Sequence, residues 1–123
     1  MIVDLPFPHK ILWPNGPQAN RGWRAAEVKK HRQWAHDATR AERSTTAPIR
    51  PVIALTVYPK PRGPAPDKDN TIAACKAYFD GIADALKVND RRFDAPHVTI
   101  SEQRVQGGRI TFHITDTREM GMD

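Results

Sequence analysis

Four consecutive polar residues, Asp67-Lys68-Asp69-Asn70, form the segment of this chain with the clearest capacity for chemistry. Two carboxylates at positions i and i+2 cannot both face the same way inside a regular helix, but they can converge where a loop enters a helix. Paired carboxylates supply the hard oxygen ligands that Mg²⁺ prefers. The spacing therefore predicts a divalent-metal site at a loop-to-helix junction, with Asp67 and Asp69 as ligands.

A lysine and two further acids follow this segment. Lys76 comes seven residues after Asp69, and Asp80 comes four residues after Lys76, so a straight helix would place all three on one narrow strip. A lysine beside metal-binding carboxylates can pair with a phosphate oxygen or stabilise charge in a transition state. Asp90 lies in a polar turn after the helix, and it joins the first two acids only if the chain reverses there, which the spacing does not show.

Two helices are predicted around these residues, at about residues 22–43 and at Asp69–Leu86. Asp69 is well placed as the N-cap of the second helix, because its carboxylate can accept free N–H groups of the first turn. The first helix has a thin apolar face of Trp23, Ala26, Trp34, Ala38 and Ala41. The second has a clear apolar stripe of Ile72, Cys75, Phe79, Ile82, Ala83 and Leu86.

Strands are predicted from β-branched composition and alternation. The first is Ile2–Phe7, with Lys10–Trp13 as an alternative, and the second is Pro51–Tyr58, followed by a proline-rich surface loop over residues 59–66. The last two, His97–Arg104 and Arg109–Thr115, form a predicted hairpin with Gly107-Gly108 near its turn. The residues expected to face the core are Ile53, Leu55, Val57, Ile110, Phe112 and Ile114.

The element order β-α-β-α-β-β predicts an α+β fold, a small mixed four-stranded sheet with two helices on one face, in one domain spanning residues 1–123. The net charge of +5 favours an anionic partner, and residues 21–43 alone carry seven Lys/Arg against three acids. A single cysteine cannot form an internal disulfide, and the chain has no apolar stretch of membrane-spanning length and no signal-peptide pattern. We therefore expect a cytoplasmic protein that does not enter a membrane.

Three segments carry a resemblance to a known family. They are Asp67-x-Asp69-Asn70, then Lys76-Ala77-Tyr78-Phe79-Asp80-Gly81, then Asn89-Asp90. Their order is similar to the D-x-D-N…K-A-x-x-D-x-L…D-D signature of the RusA family of Holliday-junction resolvases, and Leu5-Pro6-Phe7-Pro8 looks like its opening L-P-x-P. The resemblance implies a homodimeric endodeoxyribonuclease that cuts branched DNA with Mg²⁺ or Mn²⁺.

The resemblance also assigns roles to residues. The catalytic residues would be Asp67, Asp69, Lys76 and Asp90, the metal ligands the three acids among them, and the supporting residues Asn70 and Asp80. Two departures stand out, because many members place the lysine four residues after the second aspartate and have two consecutive acids where this chain has Asn89-Asp90. Asp94 is therefore held in reserve as the third acid.

The predicted function is Mg²⁺-dependent resolution of four-way DNA junctions by paired nicking, in DNA recombination and repair. The basic residues expected to hold phosphates are Arg24, Lys29, Lys30, Lys60, Arg62, Arg91 and Arg92. Two alternatives stay open, a non-catalytic nucleic-acid-binding protein and a Mg²⁺ nuclease acting on flap or single-stranded DNA. In the first, Asp69 is only a cap, Lys76 and Asp80 are a surface pair, and Asp90 belongs to a polar turn. Trp23 and Trp34 are interpreted as packing or dimer contacts.

Overall fold

The structure is a computed structural model, and it describes residues 1–17, 20–42, 51–88 and 96–116. A short 3-10 turn at Lys10–Leu12 takes the place of the alternative first strand, which was therefore wrong. The other elements are β1 (Ile2–Pro6), α1 (Arg21–Glu42), β2 (Pro51–Tyr58), α2 (Lys68–Ala74), α3 (Lys76–Leu86), β3 (His97–Ile100) and β4 (Arg109–Asp116).

The four strands form one mixed sheet in the order β1-β4-β2-β3. β4 is antiparallel to both β1 and β2, whereas β3 is parallel to β2. The α+β fold with a mixed four-stranded sheet is thus confirmed. The parallel β2–β3 pair requires a long crossover connection, which α2 and α3 supply.

The predicted hairpin of the last two strands was wrong, because β2 lies between β3 and β4. After β3 the chain crosses the end of β2, where the Ser101 N–H donates to the Val57 carbonyl and the Val105 N–H donates to the Pro59 carbonyl. Gly107 and Gly108, at φ 78° and 73°, then turn the chain into β4. The glycines mark a real turn, but the strand that follows it pairs with a distant partner.

The core lies between the sheet and α3. The six strand residues expected to face inward are all buried. Of the predicted helical stripe, Cys75, Ile82, Ala83 and Leu86 are buried, which confirms that part of it, while Ile72 and Phe79 are half-buried. Tyr78, which the predicted stripe did not include, is also buried. The ring of Phe112 makes edge-on contacts with the rings of Tyr78 and Phe79, at centroid distances of 6.0 and 5.5 Å. These contacts fix α3 against β4, a central strand of the sheet.

The buried face of α1 differs from the predicted one. The residues that face inward are Glu27, His31, Ala35 and Thr39, whereas Trp23, Trp34, Ala26 and Ala41 are exposed and Ala38 is half-buried. The four buried residues follow one another at intervals of four, so they do form a helical stripe. Three of them are polar, and for this reason hydrophobicity alone selected the wrong face.

Cys75 separates α2 from α3, so the helix predicted over Asp69–Leu86 is two helices. Its backbone, at φ −92° and ψ 5°, departs from helical geometry, although hydrogen bonds from Cys75 to Thr71 and from Phe79 to Cys75 continue across it. Helix α2 also begins earlier than the predicted helix, and its N-cap is Asp67 in place of Asp69. The prediction that Asp69, Lys76 and Asp80 share one strip assumed a single straight helix, so it does not apply to these two helices.

Candidate active site

Asp67 stands at the point where the proline-rich loop enters α2. Its Oδ1 accepts a hydrogen bond from the backbone N–H of Asn70 at 2.7 Å, and its Oδ2 accepts one from the Asn70 side-chain amide at 3.1 Å. The Asp67 carbonyl accepts from the hydroxyl of buried Thr71 at 2.7 Å. These three bonds hold both the backbone and the carboxylate of Asp67 in place.

A cleft of about 640 Å³ opens beside Asp67 and Asn70. The loop after β1 provides one wall and the loop after β2 another. The cleft is lined by Phe7, Pro8, Lys10, Trp13, Asn15, Gly16, Lys60, Pro64, Ala65, Pro66, Asp67 and Asn70. Because β1 and β2 are both antiparallel to β4, they run in the same direction, and their two following loops emerge at the same edge of the sheet.

Phe7 and Trp13 form the aromatic wall of the cleft. Their rings are stacked, with centroids 5.0 Å apart and planes 20° apart, and the Trp13 indole N–H donates to the Pro8 carbonyl at 3.0 Å. A Cβ on Gly108 would lie within 3.0 Å of the Phe7 side chain, so the glycine turn before β4 makes room for this ring. The aromatic wall is thereby fixed from both sides.

Lys60 and Lys10 bring positive charge to the cleft. The loop carrying Lys60 is tied down by Arg104, whose guanidinium donates to the carbonyls of Lys60 and Gly63 at 2.9 and 2.8 Å. The Lys60 ammonium lies 5.4 Å from the centroid of the Phe7 ring, a cation–π contact. Two cations, an aromatic pair and a held carboxylate thus face one space.

The other residues of the predicted site stand apart from the cleft lining. Asp69 lies in the first turn of α2 with an exposed side chain. Lys76 is 74% exposed and its ammonium lies 3.6 Å from Asp80 Oδ2, a surface pair of the kind weighed from the sequence. The predicted third acid, Asp90, and the reserve, Asp94, lie outside the described residues, as does Asn89. Among the residues that are described, no three His, Cys, Asp or Glu side chains form a metal-binding group.

Cationic residues of α1 line a second, open groove. Its lining consists of Arg21, Arg24, Ala25, Val28, Lys29 and Arg32. The Arg24 guanidinium donates to the Ile11 carbonyl at 2.6 Å, and Arg32 donates two hydrogen bonds to the Asp84 carboxylate, at 2.6 and 2.9 Å, which lower the pKa of Asp84. Of the predicted phosphate contacts, Arg24 and Lys29 lie here.

The remaining predicted phosphate contacts are more scattered. Lys30 pairs with Glu27 at 3.2 Å and lies 5.4 Å from the Trp34 ring centroid, and Arg62 is exposed in the loop after β2. Arg91 and Arg92 lie outside the described residues. The structure therefore groups only part of the predicted set, in the α1 groove and in the cleft.

Two buried polar residues, Glu27 and His31, lie next to the chain segment that leads to Lys10. The His31 ring accepts a hydrogen bond from the His9 backbone N–H at Nε2, and its Nδ1 lies 2.8 Å from the Glu27 carbonyl, which assigns the ring proton to Nδ1. Burial lowers the pKa of His31, against a smaller opposing effect of Glu27. His31 thus fixes the chain just before the Lys10–Leu12 turn, which carries Lys10 to the cleft.

Sequence reasoning missed the contributions of Phe7, Lys10 and Trp13 to the site, and it missed the buried pair of Glu27 and His31. A repeated interval of four from Glu27 to Thr39 was the available signal for the buried face of α1. Cys75 adds nothing to the candidate chemistry, since burial raises the pKa of its thiol to about 12.

Comparison with known proteins gives a relative of this chain without a stated activity. No protein-family model matches the sequence. The chain is 37% identical over 119 residues to an uncharacterized protein of Xylella fastidiosa strain Temecula1, an alignment that covers 92% of this chain and 74% of that protein. This chain belongs to the same family as the Xylella protein. In the described part of the structure, no helix has both the length and the apolar character needed to cross a bilayer.

Proposed function

We propose that this protein is a Mg²⁺-dependent endodeoxyribonuclease that resolves four-way DNA junctions, as the resemblance to the RusA family implies. In this proposal it acts as a homodimer in the cytoplasm, and Mn²⁺ can replace Mg²⁺. Two sites related by a two-fold axis would nick two strands of a junction symmetrically.

One observation carries the proposal. The acidic motif at the start of α2 places Asp67 and Asn70 in a cleft that also receives Lys10 and Lys60 from two other loops. Metal-assisted phosphodiester hydrolysis uses acidic metal ligands, and cations near the substrate phosphate stabilise its charge. Three charged residues, Asp67, Lys10 and Lys60, meet here with Asn70 from three parts of the chain.

The donor set of the cleft fits a hard cation. A carboxylate offers about four acceptor positions, and Asn70 occupies one on each oxygen of Asp67, so capacity for a metal is left. Asp69 and Asp90 complete the proposed ligand set. When bound, Mg²⁺ would lower the pKa of a water and neutralise charge on the scissile phosphate. In this proposal, Lys10 and Lys60 bind phosphate oxygens. Lys76 would also stabilise the negative charge of the phosphate, once its ion pair with Asp80 is broken.

Asp67 also supports one alternative, a non-catalytic nucleic-acid-binding protein. Its Oδ1 already caps α2 and its Oδ2 already accepts from the Asn70 side chain, and the cap alone is a structural reason for an acid at this position. A Mg²⁺ nuclease that acts on flap or single-stranded DNA is the other alternative. Mg²⁺-dependent nicking excludes the non-catalytic protein, and comparison of junction, flap and linear duplex substrates decides between the two nucleases.

The decisive experiment follows strand nicking of a labelled four-way junction with Mg²⁺, for the wild type, D69N, D67N and E102Q. Glu102 is exposed and is not part of the cleft lining, so E102Q is a control for carboxylate-to-amide exchange. We expect D69N and D67N to lose nicking by about 100-fold or more and to keep junction binding. Nicking that persists in both variants, or is absent from the wild type, would overturn the proposal.

A further inference from the structure

We infer that the cleft beside Asp67 binds one unpaired nucleotide of a DNA strand, with its base against the Phe7–Trp13 pair and its phosphates on Lys10 and Lys60. The inference deepens the proposed function and rests on it for the presence of DNA at this site. It names the part of a branched substrate that the cleft selects, which is a nucleotide released from base stacking.

The stacked rings of Phe7 and Trp13 provide a surface for a base. Trp13 is half-exposed, lines the cleft, and is held by its stacking on Phe7 and its hydrogen bond to the Pro8 carbonyl. A ring fixed in advance loses little conformational freedom when a base stacks against it. Aromatic side chains on single-strand-binding surfaces act in this way on any base, because every base has a π-face.

The unpaired state follows from geometry. A base within a duplex is covered on both faces by its neighbours, and only its edges are accessible in the grooves. Stacking on a protein ring therefore requires a nucleotide that has left the helix, as at a branch point, a flap or a single strand. The cleft volume of about 640 Å³ lies within the range of small-ligand sites, which suits one nucleotide.

The remaining walls match the other parts of a nucleotide. Pro8, Pro64 and Pro66 provide apolar surface without backbone N–H donors, which suits the sugar and the base plane. Lys10 and Lys60 offer ammonium groups to phosphate. Since Asp67 lines the same cleft, a phosphate next to the bound base would lie beside this proposed metal ligand.

The test uses Trp13 as its own probe. The chain has three tryptophans, at positions 13, 23 and 34, so the double variant W23F/W34F leaves Trp13 as the one tryptophan, which is excited selectively over tyrosine. Hexathymidine and a long, fully paired duplex, in which nearly every base is covered on both faces, are titrated into this variant at matched nucleotide concentrations in EDTA, so that no cleavage occurs. We expect saturable quenching by hexathymidine, at a lower concentration than for the duplex. Equal quenching by the two, or none by hexathymidine, would overturn the inference.

Variants assign the effect to the cleft by fluorescence anisotropy of labelled hexathymidine. In an otherwise wild-type chain, W13A should weaken binding by at least about fivefold, and W13F by much less, because phenylalanine can still stack. W34A, at an exposed tryptophan outside the cleft, is the matched control and should bind like the wild type. K60Q should lower the slope of log K against log salt by about 1. Unchanged binding in W13A, or equal weakening in W34A, would contradict the cleft as the site.

These measurements separate the inference from the proposed function. Quenching of Trp13 without junction nicking would support the nucleotide site and overturn the nuclease. Nicking without quenching by hexathymidine would overturn the nucleotide site and leave the nuclease in place.

Discussion

The carboxylate of Asp67 and the amide groups of Asn70 form a closed pair, in which one aspartate accepts both the backbone and the side-chain N–H of the residue three positions later. The same carboxylate lines the cleft. Asp67 therefore has a structural and a proposed chemical role, and substitutions can separate them because asparagine caps helices about as well as aspartate does.

Substitution of Asp67 should separate capping from charge. We expect D67A to lower the free energy of unfolding by about 0.5–2 kcal/mol, because it removes the acceptor at the N-cap, and D67N to lower it by much less. Urea denaturation followed by circular dichroism measures both. Equal losses in the two variants would show that the charge, and not the cap, stabilises α2.

Divalent cations should stabilise the folded protein through the acidic motif. A metal that binds only the folded state at ten times its Kd adds about 1.4 kcal/mol, so Mg²⁺ or Mn²⁺ should raise the Tm of the wild type by several degrees. D69N should lose most of this increase, because Asp69 is a proposed ligand, whereas the N-cap of α2 is Asp67.

E102Q is the control for this measurement and should keep the full increase in Tm. Differential scanning fluorimetry with Ca²⁺, Mg²⁺ and Mn²⁺ at constant ionic strength gives the comparison. If none of these cations changed the Tm of the wild type, the proposed metal site would be wrong.

Close packing of α1 on α3 should depend on Gly81. A Cβ at this position would lie 2.2 Å from the Arg32 carbonyl and 2.8 Å from the Ala35 Cβ, so the two helices would have to separate. We expect G81A to lower the free energy of unfolding by about 1–3 kcal/mol, in spite of the better helix propensity of alanine.

Gly22 provides the matched control for this substitution. It lies in α1, and among the described residues a Cβ there would meet only Asn20 Oδ1, at 3.5 Å. G22A should therefore leave the protein as stable as the wild type or slightly more so. If G81A proved as stable as G22A, the contact between the two helices would be looser than the structure has it.

The parts of the fold that could be predicted are those with a local signal. Alternation along β2 and around Phe112 of β4 depends on neighbouring residues only, and it placed the core faces correctly. The position of β3 could not be predicted, because its parallel pairing with β2 follows from a crossover of nearly 40 residues. No local feature of His97–Ile100 distinguishes that partner from β4.

The same division applies to the candidate site. Asp67 and Asn70 are close in sequence, so the motif predicted their proximity. Lys10, Trp13 and Lys60 reach the cleft only because β1 and β2 run in the same direction on either side of β4. That arrangement is a property of the whole sheet, and periodicity within single elements does not contain it.

His31 should make the stability of the protein depend on pH. Its ring is buried, it accepts from the His9 N–H, and burial holds its pKa below the ordinary value of 6.5. The charges around it are Glu27, which favours the protonated ring, and Lys30 and His9, which disfavour it. In the unfolded chain this histidine binds a proton near pH 6.5, while in the folded chain it does so only at lower pH. Its contribution to stability is therefore complete above pH 6.5 and decreases as the pH falls toward the folded pKa.

Replacement of His31 should flatten this dependence. We expect the free energy of unfolding of H31Q to fall less between pH 7.5 and pH 5.5 than that of the wild type, whatever the absolute cost of the substitution. H113Q is the control, because His113 is exposed on β4, and its pH dependence should match the wild type. Urea denaturation at pH 7.5, 6.5 and 5.5 gives the three slopes. If the free energy of unfolding changed with pH equally in H31Q and the wild type, the buried ring would bind its proton as readily in the folded as in the unfolded chain. The hydrogen bond between His9 and His31 would then break on acidification without loss of stability.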